Sequence, residues 1–197
     1  MCSIGNRAQI LKLQLRSVIR KCDLHKERGI IMKKYEFTGE TKTVSFLFED
    51  VTLHRIQAIT SFASVVAGEL GGWIEKEENL SHKGDAWVSE NAAVYGDAVV
   101  SGNAWVSGNA VVYGNAVVSE NAEVFSVRHV LVIGPIGSRN AFTTFYHDKD
   151  NEITVQCGCF IGKIDKFLEK VAQTYGDSKY AQVYRKAVEL AKLQIDL

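Results

Sequence analysis

The sequence predicts a mixed fold class: a short β-solenoid of stacked triangular coils, preceded by a β segment and followed by a small α+β domain made of a β-hairpin and two helices. Two observations carry the solenoid. Residues 84–125 read GDAWVS ENAAVY GDAVVS GNAWVS GNAVVY GNAVVS ENAEVF, seven uninterrupted hexads with Ala third and Val fifth in each. Laying 84–101 over 102–119 gives 14 identities in 18 positions, with Trp87 recurring as Trp105 and Tyr95 as Tyr113, so three hexads make one turn. The third observation is that the periodicity changes after Phe125, first to alternation and then to helical spacing.

In chain order, residues 1–31 carry seven basic against two acidic side chains. One reading is an amphipathic helix that touches an anionic membrane or a partner. The favoured reading is a leader foreign to the natural protein. Lys26-Glu27-Arg28-Gly29 is encodable by a purine-rich ribosome-binding sequence, and Met1 and Met32 are the only methionines, so Met32 is the expected start.

Residues 32–83 are expected to form an N-terminal β cap and degenerate coils. Tyr35 and Phe37 alternate with charged residues, and Val44, Phe46 and Phe48 alternate with Ser45 and Leu47, which predicts short strands separated by a turn at Gly39. A further strand is expected over 52–59. Gly68, Gly71 and Gly72 break the backbone, and Ile74 and Leu80 fall on the six-residue frame of Ala86, which predicts coils running into the repeat.

Within 84–125 a six-residue unit suits one short strand and one corner. A period of two sends Ala and Val inward and the residue after each outward. Gly-Asn, Gly-Asp or Glu-Asn supplies the corner, because these residues tolerate sharp backbone angles. The small residue two places before each aliphatic one resembles the hexapeptide-repeat left-handed β-helix. That resemblance implies left-handed coils. Many members of that family are trimeric acyltransferases that hold acyl-coenzyme A between prisms and use a His as general base. These hexads hold no His, so an acyl-coenzyme A-dependent transferase is the alternative reading rather than the leading one.

The outward positions are apolar on every side: Trp87 and Trp105; Ala93, Tyr95, Val111 and Tyr113; Val99 and Val117. Such ladders imply cover by another chain or by the flanking segments, and a homo-oligomer, a trimer above all, is the expected assembly. The indole and phenol ladders also suit a stacking platform for a nucleobase or cyclic nucleotide, with Arg139 or another basic side chain meeting the phosphate, although packing or a subunit interface is the stronger reading.

Residues 126–197 are expected to form the α+β domain. A strand is predicted over 130–133, and 142–146 and 153–160 flank the hairpin signal Asp148-Lys149-Asp150-Asn151. One helix carries Ile164, Phe167, Leu168, Val171 and Tyr175 and stops at Gly176. A second, begun by Asp177 or Ser178, carries Tyr180, Val183, Tyr184, Ala187, Leu190 and Ala191. The loop Gly134-Pro135-Ile136-Gly137-Ser138-Arg139 ends in a hydroxyl and a guanidinium that suit an anion, against the stronger reading of a tight turn. Cys157 and Cys159, with His147 across the hairpin, are a weak metal set, and strand alternation places both thiols on one face as small hydrophobes. No metal and no cofactor are expected. His54 and His82 read first as structural or surface residues, and acetyl-coenzyme A turnover that depends on His82 or His129 would favour the transferase reading.

The 197 residues carry no net charge, but 84–125 hold five acidic side chains and no Lys or Arg. An acidic prism disfavours a nucleic-acid backbone. No apolar run reaches the roughly 18 residues of a membrane span, and four cysteines without a framework fit a reducing compartment, so the expected location is cytoplasmic. The segments KKYEFTGETK, TLHRIQAI, GELGGWIEKEENLSHKGDAWV, IGPIGSRNAFTTFYHDKD and VQCGCFIGKIDKFLEKVAQTYGD, with the hexads, resemble uncharacterised proteins of phages, prophages and other mobile elements. That resemblance implies an origin more than an activity, and the leading reading is a non-enzymatic oligomeric binding protein of a mobile element. It would counter host antiviral defence by sequestering a small nucleotide signal or blocking a host protein. A structural assembly module is the third reading.

Overall fold

Each hexad yields a strand of two residues, too short to be stable by itself and held only by its neighbours in the next coil. The computed structural model describes residues 32–45 and 50–197, so the readings of 1–31 and of Phe46, Leu47 and Phe48 lie outside them. The hexads form β4 (Trp87–Val88), β5 (Ala93–Val94), β6 (Val99–Val100), β7 (Trp105–Val106), β8 (Val111–Val112), β9 (Val117–Val118) and β10 (Glu123–Val124). They sort into three parallel ladders, β4-β7-β10, β5-β8 and β6-β9. Trp87 pairs with Trp105 and Trp105 with Glu123, Ala93 with Val111, and Val99 with Val117. Every step is 18 residues, the period seen in the sequence. All seven Ala and all seven Val of the repeat frame are at most 1% exposed and share one core.

Upstream, Gly39 does not separate two strands. β1 (Tyr35–Ser45) runs through it with an irregularity between Phe37 and Thr41, and Gly39 takes φ +89°. β1 pairs antiparallel with β2 (Asp50–Ala58), and β2 with β3 (Leu70–Ile74). β3 then joins the repeat in parallel through Trp73 to Ala93 and Ile74 to Val94, and Leu80 bridges Val100. Ile74 and Leu80 therefore occupy Val positions, not the Ala position expected from simple spacing. The offset is 20 rather than 18, because two extra residues lie in the polar corner between Leu80 and Val88.

The corners need left-handed backbone, and the coil above decides how strictly. Gly102 (φ +65°) would bring an added Cβ to 2.7 Å from the Glu120 backbone N, whereas Gly114 (also φ +65°) has nothing within 4 Å. Gly114→Ala is expected to cost about 1 kcal/mol and Gly102→Ala about 2 kcal/mol or more. Urea midpoints for the two variants measure the difference, and equal losses would mean that stacked corners do not constrain this position.

Downstream, β11 (Val130–Ile136), β12 (Ala141–His147), β13 (Ile153–Cys157) and β14 (Phe160–Lys163) form an antiparallel sheet in that order, followed by α1 (Ile164–Tyr175) and α2 (Lys179–Gln194). The predicted strand over 153–160 is thus two strands, divided at Gly158 (φ +60°). β12 is a wall between two cores. Tyr146 packs with the repeat, while Phe145 packs with Phe167, Tyr184 and other residues of the helices, as strand alternation requires. Gly176 ends α1 at φ +55° as expected. On α2 the buried face is Ala181, Tyr184, Ala187, Val188 and Ala191, and the expected core residues Val183 and Leu190 are exposed. No helix among the described residues is long and apolar enough to cross a membrane.

Candidate functional site

The outward ladders have different fates in successive coils. Trp87 is fully buried, with Phe62 edge-on at 5.5 Å and Tyr35 at 6.4 Å. Tyr95 and Ala93 lie under Leu53 and Trp73, with Val44 and Val51 beside them. One coil later the cover is thinner: Trp105, Val111 and Val117 are half-buried and Tyr113 is exposed, although the Val117 N–H still donates to Thr144 Oγ1 at 3.0 Å. Tyr95 and Tyr113 do stack, with centroids 5.5 Å apart. Trp87, Ala93 and Tyr95 of the first coil are covered by the chain's own flanks, while Val99 stays half-buried.

Trp105 opens into a groove of about 410 Å³, whose other walls include Ser64, Asn103, Asn121, Glu123, Phe125 and Lys149. Asn103 and Asn121 form a corner ladder, the first donating to the second at 3.4 Å. Lys149 reaches this place because its backbone N–H donates to the Asn121 carbonyl at 3.0 Å, while Asp148 bridges Ala122. The hairpin itself is fixed from inside. Asp148, 3% exposed, accepts from Lys163 Nζ at 2.6 Å, from Thr154 Oγ1 and from the Asp150 N–H at 3.0 Å. Burial alone would raise the Asp148 carboxyl, but these donors outweigh it and hold the pKa below the usual carboxylate value. Sequence reading took residues 148–151 only as a turn signal. Local spacing does not show that Lys149 shares a groove with a tryptophan 44 positions earlier.

His82, His129 and His147 are packing groups. His129 and His147 stack at 4.7 Å, and Phe125 meets both edge-on. His147 Nδ1 donates to the Glu123 carbonyl at 2.8 Å. Burial, and then the neighbouring His147, lowers the His129 pKa. His82 stacks on Tyr35 at 4.3 Å, and burial lowers its pKa although Glu77 opposes the shift. Beside it, Lys34 is buried and its Nζ donates to the carbonyls of Gly84 and Ala86, at 3.1 and 2.6 Å. Burial brings Lys34 down to about 8, against Asp85. This cationic anchor at the entrance to the repeat gave no sequence signal.

Ser138 and Arg139 lie away from the indoles. Ser138 Oγ is 2.9 Å from Tyr175 Oη, and Arg139 lines a second cleft with Cys157, Cys159, Tyr175 and Tyr184. The cation at the Trp105 groove is Lys149 instead. Cys157 and Cys159 are not on one strand face, because Gly158 turns the chain between them; Cys157 is half-buried and Cys159 exposed. His147 pairs with Ile153, whereas Cys157 pairs with Thr143, so the imidazole and thiols occupy opposite ends of β12 and β13. No group of three metal-ligating side chains occurs among the described residues.

No protein-family profile matches the chain. It is similar to the uncharacterized acetyltransferase YdcK of Escherichia coli (strain K12), at 36% identity over 74 residues. The match covers 35% of this chain and 23% of that protein.

Proposed function

We propose that the chain is a hexapeptide-repeat protein of the acyl-coenzyme A-dependent transferase type, a left-handed parallel β-helix that receives the adenine end of the coenzyme on its Trp105 face. The observation that carries this reading is the half-open indole at the wall of a groove with Lys149 beside it. A flat base stacks on an indole, and an ammonium attracts a phosphate. The similarity to YdcK supports the transferase class. The groove is smaller than the whole coenzyme, so the pantetheine arm runs along the repeat toward a second copy in a homotrimer, whose contacts cover Val111, Val117 and Tyr113. Glu123 lines the groove of the adenine end, a whole pantetheine arm from the reacting thioester, so the acceptor's proton passes to water rather than to this carboxylate. The acceptor's oxygen or nitrogen bonds to the acyl carbon, the carbon–sulfur bond breaks, and the thiol leaves protonated.

Acetyl-coenzyme A is expected to quench tryptophan fluorescence saturably. Trp105→Ala should weaken binding by about tenfold to a hundredfold, the range that loss of one base–aromatic stack gives. Release of free thiol in the presence of amine or hydroxyl acceptors should fall in Trp105→Ala in step with the weaker binding. Absence of both quenching and thiol release would remove the reading.

A second reading is favoured by the packing of His82, His129 and His147 into the protein, which leaves the groove walls without an imidazole. The protein would then bind a nucleotide without turning it over, as a mobile-element protein that sequesters a host defence signal. Saturable binding of cyclic nucleotides, lost in Trp105→Ala and without any thiol release from acetyl-coenzyme A, separates this outcome from the first.

A further inference from the structure

The cleft between the β12–β14 sheet and the two helices is a separate site from the Trp105 groove, and its chemistry does not depend on the reading given above. We propose that it binds a small aryl carboxylate of benzoate size. Its volume is about 190 Å³, below the roughly 300 Å³ at which pockets for drug-sized ligands begin, so a coenzyme or nucleotide does not fit.

The walls are aromatic. Phe160 and Phe167 lie 5.4 Å apart, Phe167 meets Tyr184 edge-on at 5.4 Å, and Tyr175 and Tyr184 are 5.9 Å apart. Rings so arranged accept a further flat ring in offset or edge contact. The charge at the mouth is positive and unneutralised. Arg139 and Lys170 both line the cleft, and neither has a carboxylate at ion-pair distance among the described residues. In the same part of the chain Lys163, Lys166, Arg185 and Lys186 all do. An arginine and a lysine that line one apolar cleft without a counter-ion match a carboxylate, with Arg139 suited to bidentate contact.

Polar groups inside the cleft are held in place by the fold. Cys157 Sγ lies 3.8 Å from Tyr184 Oη and 3.3 Å from Thr143 Oγ1. Tyr175 Oη meets Ser138 Oγ at 2.9 Å. The loop that carries Arg139 rests directly on Tyr184: a Cβ on Gly137 would stand 1.9 Å from its hydroxyl oxygen. Gly137 therefore sets the close approach of the Arg139 loop to the Tyr184 wall of the cleft.

The full chain, labelled with ¹⁵N, is titrated with sodium benzoate and followed by amide chemical shifts. Saturable shifts are expected at Arg139, Gly158 and Lys170, with binding at least tenfold weaker in Arg139→Gln and at least tenfold weaker for benzamide, the neutral isostere. Arg139 is exposed, so the variant should keep the thermal stability and the acetyl-coenzyme A affinity of the parent. Shifts that do not saturate in the millimolar range would overturn the proposal. So would benzamide or inorganic phosphate binding as tightly as benzoate, or an unchanged affinity in Arg139→Gln.

Discussion

Trp87→Ala is expected to lower the free energy of unfolding by about 3–5 kcal/mol, as full truncation of a buried tryptophan does. Trp87 is fully buried where β3, the Phe62 loop and the first coil meet. A Cβ on Gly71 would lie 2.7 Å from its Cζ2, so the site is tightly packed and cannot collapse to fill the space. Trp87→Phe should cost only about 1 kcal/mol, because it keeps most of the volume and removes an indole N–H that has no hydrogen-bond partner. Trp105→Ala, at the half-buried equivalent position, should cost about 1–2 kcal/mol from the smaller area it withdraws from water. Equal losses at Trp87 and Trp105 in guanidinium unfolding would contradict the unequal cover of the two coils.

Asp148→Ala is expected to cost about 3 kcal/mol. The substitution strands the buried Thr154 hydroxyl and removes one of the three carboxylates around Lys163. The figure stays below that of a fully buried ion pair because Lys163 is more than a third exposed. The loss also has a pH signature. Hydrogen bonds hold the Asp148 pKa below its unfolded value despite burial, so the unfolded chain binds more protons in that window. The stabilisation is therefore complete above about pH 4, the unfolded carboxylate value, and disappears as pH falls through the lower folded value. The parent should lose stability toward acid more steeply than Asp148→Ala. Because Asp148 also holds the hairpin that presents Lys149, the variant should bind acetyl-coenzyme A more weakly, which Trp87→Phe should not. Parallel acid-unfolding curves for parent and variant would refute the argument.

The parallel ladders were legible because each Ala and Val repeats its environment every 18 residues, and identical neighbours leave one register that buries every frame position. The degenerate coil was half legible. Ile74 and Leu80 announced it, but a polar insert shifts the frame without leaving an apolar trace, and only pairing to Val94 and Val100 reveals the true alignment. Helix α2 shows the same limit: Val183 and Leu190 have helical spacing, yet the sheet offers its surface to Ala181 and Val188. Of the residues flagged for chemistry, Trp105 keeps an open face and Arg139 lines a cleft with Cys157, while Trp87 is consumed by packing. Lys149 belonged only to a turn signal, Tyr175 and Tyr184 only to helical spacing and Lys170 to no pattern, and they became neighbours of those residues only through folding.

By itself the sequence determined the repeat, its strand register, its acidic surface and the two helices, because each depends on local spacing or on self-similar neighbours. The tertiary structure alone decided which indole stays open, which cation stands beside it, and that Arg139, Lys170 and the two tyrosines share one cleft. Those outcomes depend on how far the flanks reach over the repeat and on which side of β12 the helices pack, distances set by the whole chain rather than by any stretch of it.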